Sequence, residues 1–263
     1  MNSEGKLMTY GSHLEIFRMA LLRILTITLV CAIIIFLFKE ETFKILLAPS
    51  EWNFCTYKWI EQFIILFNPE FHFEEFYIDL IATDLSSQFM THITMAIYLG
   101  LLCASPFILY ELFKFVSPAL LENEKRYSVQ IVFTVYVLFL VGVLMSYFII
   151  FPISFRFLGT YSVAEKIHST ITLDSYISTF VTLTLLMGVV FQLPVIAFIL
   201  GKMRIVTSDY LAKYRRYAII LICIISAIIT PPDIMTLILV AIPLYMLYEV
   251  SIRVIKHIEK SNN

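Results

Sequence analysis

Apolar residues in this chain gather in long blocks separated by short charged stretches. The principal blocks are Ile24–Phe38, Phe89–Tyr110, Ser128–Pro152, Ile177–Gly201 and Tyr217–Tyr248. Several reach the ~20 residues a helix needs to cross ~30 Å of hydrocarbon. The period-two alternation of a membrane β-barrel is absent. The last block is interrupted by Pro231-Pro232-Asp233. Proline donates no amide and disfavours helix in the residue before it, so one helix stops there. Asp233 is placed to cap the next, accepting from amides two or three residues on. The pattern predicts an all-α integral membrane protein, a single domain over residues 1–263 with spans at about 18–38, 88–113, 125–151, 172–201, 216–231 and 233–252. Bends are expected at Pro106 and Pro194. The last two helices are short, ~21–24 Å by helix rise, so the bilayer thins there or the hairpin tip lies below its surface. The aromatic, amphipathic stretch Glu51–Tyr77 predicts a short helix lying along the interface.

Composition sharpens the class. The chain is 60% hydrophobic and 15% charged, against about half and a quarter for a soluble domain. Its net charge of −1 offers no basic field for nucleic acid. The four cysteines (Cys31, Cys55, Cys103, Cys223) form no CxxC, and three lie in apolar runs, where cysteine serves as a small hydrophobe. The first residues, MNSEGKLMTYGSHLE, show no apolar core or cleavage motif, so neither a secretory signal nor a transit peptide is expected. Fourteen of the nineteen lysines and arginines flank one side of the predicted spans, which puts both termini on the cytoplasm-equivalent side. The loop 39–88 carries nine acids and lies outside.

Candidate chemistry is sparse. There is no HExxH, serine elbow or Gly-rich phosphate loop, and the five histidines have no ligand spacing, so neither catalysis nor a cofactor is expected. A transporter would show ionisable groups at mid-membrane. The span interiors offer only Gln192, beside Pro194. Its amide either satisfies a carbonyl freed by the proline or contacts a passing segment. On the inner side the acids stand out: Glu15, Glu111, and Glu122 and Glu124 in SPALLENEKRY. They read either as surface ion pairs of little worth or as a docking site for a basic peptide, whose guanidinium groups pair strongly with carboxylates.

Six stretches in order carry a resemblance over nearly the whole length: SHLEIFRMALLR, IATDLSSQF, SPFILYELFKFVSPALLENEKR, VVFQLPV, YRRYAIILICIISAIITPPD and AIPLYMLYE. Together they resemble the TatC subunit of the twin-arginine protein translocase. The resemblance implies a cupped six-helix fold that binds the twin-arginine signal peptides of folded proteins and supports their transport across an energised membrane. By residue, Arg18 matches the arginine of the amino-terminal motif and Glu124 the loop glutamate that reads the arginine pair. Pro49 matches the proline after the first span, Pro118 the loop proline and Asp233 the aspartate of the TPPD turn. Ile16 stands where the family has its recognition glutamate, with Glu15 one residue earlier. Ala20 replaces an arginine, Gln192 a glutamate, and the first outer loop is longer. The resemblance also implies small single-span TatA/TatB-like partners and a homo-oligomer in the lipid membrane. Phe, Ile, Leu and Tyr richness with seven glycines favours an organelle-encoded member of the mitochondrial inner membrane, with bacterial plasma membrane and thylakoid as alternatives. Rival functions are a scaffold for respiratory-complex assembly or a small-molecule carrier.

The charge asymmetry makes a topological prediction. A cysteine placed at Asp233 reacts with an impermeant thiol reagent from outside only, and one in the Lys202–Arg216 segment from inside only. Labelling of Asp233→Cys from the inside alone would refute the hairpin.

Overall fold

The structure, a computed structural model, describes residues 10–68, 75–116, 128–162 and 170–262. Its helices are α1 (Tyr10–Leu37), α2 (Lys39–Leu47), α3 (Cys55–Ile65), α4 (Ser87–Val116), α5 (Ser128–Met145), α6 (Phe151–Thr160), α7 (Leu173–Val190), α8 (Leu193–Lys202), α9 (Ser208–Lys213), α10 (Arg215–Ile229) and α11 (Ile234–Asn262). Two-residue strands β1 (Leu80–Ile81) and β2 (Ile171–Thr172) pair in parallel, Leu80 with Ile171 and Ile81 with Thr172. Among the described residues, five helical stretches are long and apolar enough to cross a membrane: Leu14–Leu37, Ser87–Leu112, Val132–Thr160, Leu173–Lys202 and Ile234–Lys260. Apolar α10 has 15 residues, ~22 Å by helix rise. The protein is all-α and membrane-integral, with five to six spans.

The chain divides into two compact units, residues 1–42 with 92–136 and residues 43–91 with 137–263. In the first, α1 and α4 approach through small side chains. A Cβ on Gly100 would stand 2.8 Å from Ala32 Cα, too close for any side chain, and Ala20, Ala32, Ala96 and Ala104 are buried. Lipid tails are as apolar as leucine, so close backbone packing of this kind replaces the hydrophobic drive between membrane helices. At the other end of α1, Phe36 stacks on His92 with ring centroids 4.1 Å apart.

The second unit is organised around prolines. Pro152 opens α6 and cannot donate to the carbonyl of Phe148, four residues back. The helix widens to a π-turn over Ser146–Ile150, a usual way to absorb a lost bond. The hydroxyl of Thr56 on α3 donates to that Phe148 carbonyl. Pro49 likewise frees Ile45, whose carbonyl accepts from the Tyr147 hydroxyl at 2.7 Å. The neighbouring Leu46 carbonyl accepts from Tyr176 at 2.8 Å. The Tyr57 hydroxyl lies 3.0 Å from the Pro49 carbonyl and 2.9 Å from that of Pro152, and serves one at a time. Burial raises its pKa, opposed by the nearby Arg156, so it stays a donor. The short helix expected within Glu51–Tyr77 is found as α3, and its Thr56 and Tyr57 hold the third span.

Several boundaries differ from the sequence reading. The third span, expected to end at 151, continues through α6 to Thr160, because Thr56 and Tyr57 satisfy what Pro152 disturbs. The last helix is not short. Instead of ending near 252 it runs to Asn262, with Ile252, Ile255 and Ile258 buried at helical spacing. Ile255 Cγ1 would lie 3.1 Å from a Cβ on Gly201, and Glu259 accepts from the Ser208 amide at 2.9 Å. Pro106 lies inside the continuous α4, whereas Pro194 coincides with a break between α7 and α8. The hairpin turn is as expected: the Asp233 carboxylate accepts from the Thr236 amide at 2.7 Å and caps α11.

Loss of the Tyr57 hydroxyl removes a buried donor shared by two carbonyls, which costs about 1–3 kcal/mol. Tyr57→Phe is expected to lower the thermal unfolding midpoint in detergent by roughly 2–10 °C. Tyr210→Phe, at a ring 56% exposed, leaves it unchanged. Equal midpoints for Tyr57→Phe and the parent would remove the hydroxyl from the account.

Candidate functional site

Among the described residues, a cavity with charged groups in its lining lies within the first unit. Glu15, Ile16, Met19, Ala20 and Arg23 line it from α1, and Glu111 and Lys114 from α4. Positions 15, 16, 19, 20 and 23 follow the spacing of one helix face. The α4 pair is three residues apart and so shares a face as well. The cavity holds about 480 Å³, enough for a side chain with a bulky planar head.

Its central interaction is an ion pair. Arg23 Nη1 donates to Glu111 Oε1 at 3.2 Å. The Glu111 side chain is only 6% exposed and that of Arg23 49%. A carboxylate so far from water needs a charged partner or several donors, and Arg23 supplies that partner. Glu15 and Glu111 balance Arg23 and Lys114, so the lining is formally neutral.

The structure gathers some of the sequence-predicted site residues and separates others. Glu15 and Glu111 line one cavity. Ile16 lines it too, so the displacement of the acid by one position keeps a carboxylate at the same opening. Arg18 is exposed and lies outside the lining. Pro118 and Glu124 fall outside the described residues. Pro49, Gln192 and Asp233 belong to the second unit. Pro49 is buried in a 3₁₀ turn, Ala48–Ser50, and Asp233 is the α11 cap. The Gln192 backbone amide bonds Val189 rather than Gly188, and its side-chain Nε2 donates to the Gly188 carbonyl at 3.3 Å. The amide therefore repairs the ladder at the α7–α8 break. Among the described residues no group of three or more His, Cys, Asp or Glu is placed to hold a metal.

The structure adds Arg23 to the site, a residue that in sequence reads only as one of the basic flanks of the first span. The available signal was its spacing: three residues after Ala20, it restores a cation to the face where Ala20 has none.

Known proteins resemble this chain over nearly its whole length. The profile of the family described as Sec-independent protein translocase protein (TatC) matches residues 12–243. A Sec-independent protein translocase protein TatC of Blattabacterium sp. subsp. Periplaneta americana is 30% identical over 264 residues, covering 99% of each chain. That of Carboxydothermus hydrogenoformans is 31% identical over 258 residues, 97% of this chain and 96% of its own. The crystal structure of the twin arginine translocase receptor TatC superposes with a TM-score of 0.73 at 31% identity, covering 93% of this chain and 98% of that one. Helix order, cavity and proline turns all fall within this matched length, and the chain belongs to the TatC family of Sec-independent protein translocase proteins.

Proposed function

We propose that this chain is the receptor and core subunit of a twin-arginine protein translocase, binding the arginine pair of signal peptides on folded cargo. The observation that carries the reading is the buried, guanidinium-paired Glu111, set in an open cavity on α1 and α4 whose opening also carries Glu15. Such a site is suited to a second guanidinium, which pairs with carboxylates through parallel hydrogen bonds. The likeness to the crystal structure of a twin arginine translocase receptor supports it.

Transport itself needs no catalytic residue in this chain; the membrane's proton gradient supplies the work. Small single-span TatA/TatB-like subunits and further copies of the chain complete the machine. Both termini face the inner compartment, as the basic asymmetry indicates. The Blattabacterium and Carboxydothermus relatives are bacterial, which supports a bacterial plasma membrane over the mitochondrial inner membrane that composition alone favours.

Glu124, the family's reader of the arginine pair by resemblance, gives the test. A charge-assisted hydrogen bond contributes on the order of 1.5–3 kcal/mol, which corresponds to about tenfold to a hundredfold in affinity. Glu124→Ala is expected to reduce crosslinking to a twin-arginine signal by that factor, with the protein still folded in the membrane. Glu15→Ala has a milder effect. Binding by Glu124→Ala within about twofold of the parent would assign the recognition elsewhere.

A further inference from the structure

Two arginine–glutamate pairs in the described structure differ in kind. Arg215 meets Glu249 as a fork, Nε to Oε1 at 2.7 Å and Nη2 to Oε2 at 3.0 Å. Arg23 meets Glu111 through a single contact, Nη1 to Oε1 at 3.2 Å. The second pair is also lopsided, its acid buried and its base half exposed. A guanidinium and a carboxylate are matched for two parallel bonds, so Glu111 keeps unused accepting capacity toward a better-placed fork.

We propose that Arg23 is an internal stand-in for a ligand arginine: it neutralises Glu111 while the cavity is empty and is displaced by a guanidinium of the signal peptide. The proposal rests on the receptor reading above. Three features support the exchange. Replacing one guanidinium by another keeps Glu111 paired throughout, so no bare carboxylate is left buried. Arg23, its side chain half exposed, can carry its head out of the cavity on its flexible stem. Ala20, one turn before Arg23 on the same face, leaves open the space that a longer side chain would fill.

The exchange also sets specificity. With Arg23 in place the lining is neutral, and an incoming cation must outcompete a resident guanidinium. With Arg23 swung out, Glu111 presents its carboxylate to one guanidinium of the pair, with Glu15 on the same lining. A lysine ammonium is a compact, strongly hydrated point charge without the planar fork, so it displaces Arg23 less well. Arg23 is then a threshold that favours an arginine pair over a lysine pair, not a group that anchors the ligand.

The test measures binding of fluorescent signal peptides to the full-length chain in detergent. The peptides carry Arg-Arg, Lys-Lys or Gln-Gln at the pair, and the proteins are the parent, Arg23→Gln and Arg23→Lys. The expected result is tighter Arg-Arg binding by Arg23→Gln, by about tenfold, with the Arg-Arg to Lys-Lys preference narrowed. Arg23→Lys, which keeps the charge without the fork, shifts both quantities in the same direction by less, and it reads the proposal if Arg23→Gln does not fold. Unchanged affinity and preference in the variants, or weaker Arg-Arg binding, would overturn the stand-in role and leave the receptor reading intact. A parent that binds all three peptides alike would overturn the receptor reading, and this proposal with it.

Discussion

A carbonyl oxygen without a donor in hydrocarbon costs several kcal/mol, and no water is present to relieve it. Each proline in a membrane helix creates such an oxygen four residues back. In the second unit the answer comes from side chains of other segments. Tyr147 serves Ile45, freed by Pro49, and Thr56 serves Phe148, freed by Pro152. Tyr57 stands between the two proline carbonyls themselves, within reach of either. The π-turn, the extension of the third span to Thr160 and the placing of α3 all follow from these bonds. At the α7–α8 break the Gln192 side chain serves the Gly188 carbonyl, which its own backbone amide has left for Val189.

The first unit meets the same scarcity of donors with a charge. Small residues let α1 and α4 approach closely, and Glu111 is carried into the contact, where Arg23 pairs with it. The pair joins fold and function: it stabilises two packed helices and holds a carboxylate ready at the wall of an open cavity. A second acid at Glu15 and apolar walls from Ile16 and Met19 complete the lining.

Much of this was legible from residue pattern. The apolar blocks gave the spans, Pro231-Pro232 ended α10 and Asp233 capped α11 as its spacing required. The Gln192 side chain serves the Gly188 carbonyl, not the Val190 carbonyl that lies four residues before Pro194. The α11 extension was hidden because its buried Ile252, Ile255 and Ile258 are interleaved with Arg253, Lys256 and Lys260, which interrupt an apolar run without interrupting a helical stripe. Thr56, Tyr57 and Tyr147 could not be assigned because their partners lie about a hundred residues away in sequence. Arg23 was hidden for the same reason: the acid it neutralises is 88 positions distant.

The central claim is that the α1–α4 cavity receives the arginine pair. A photoreactive residue in place of Met19, which lines the cavity without carrying charge, tests it directly in intact membranes. Irradiation with a folded cargo bearing a twin-arginine signal should yield a covalent adduct at position 19, lost when the two arginines are replaced by lysines. Equal yields from the two cargoes, or no adduct with the twin-arginine one, would contradict the account.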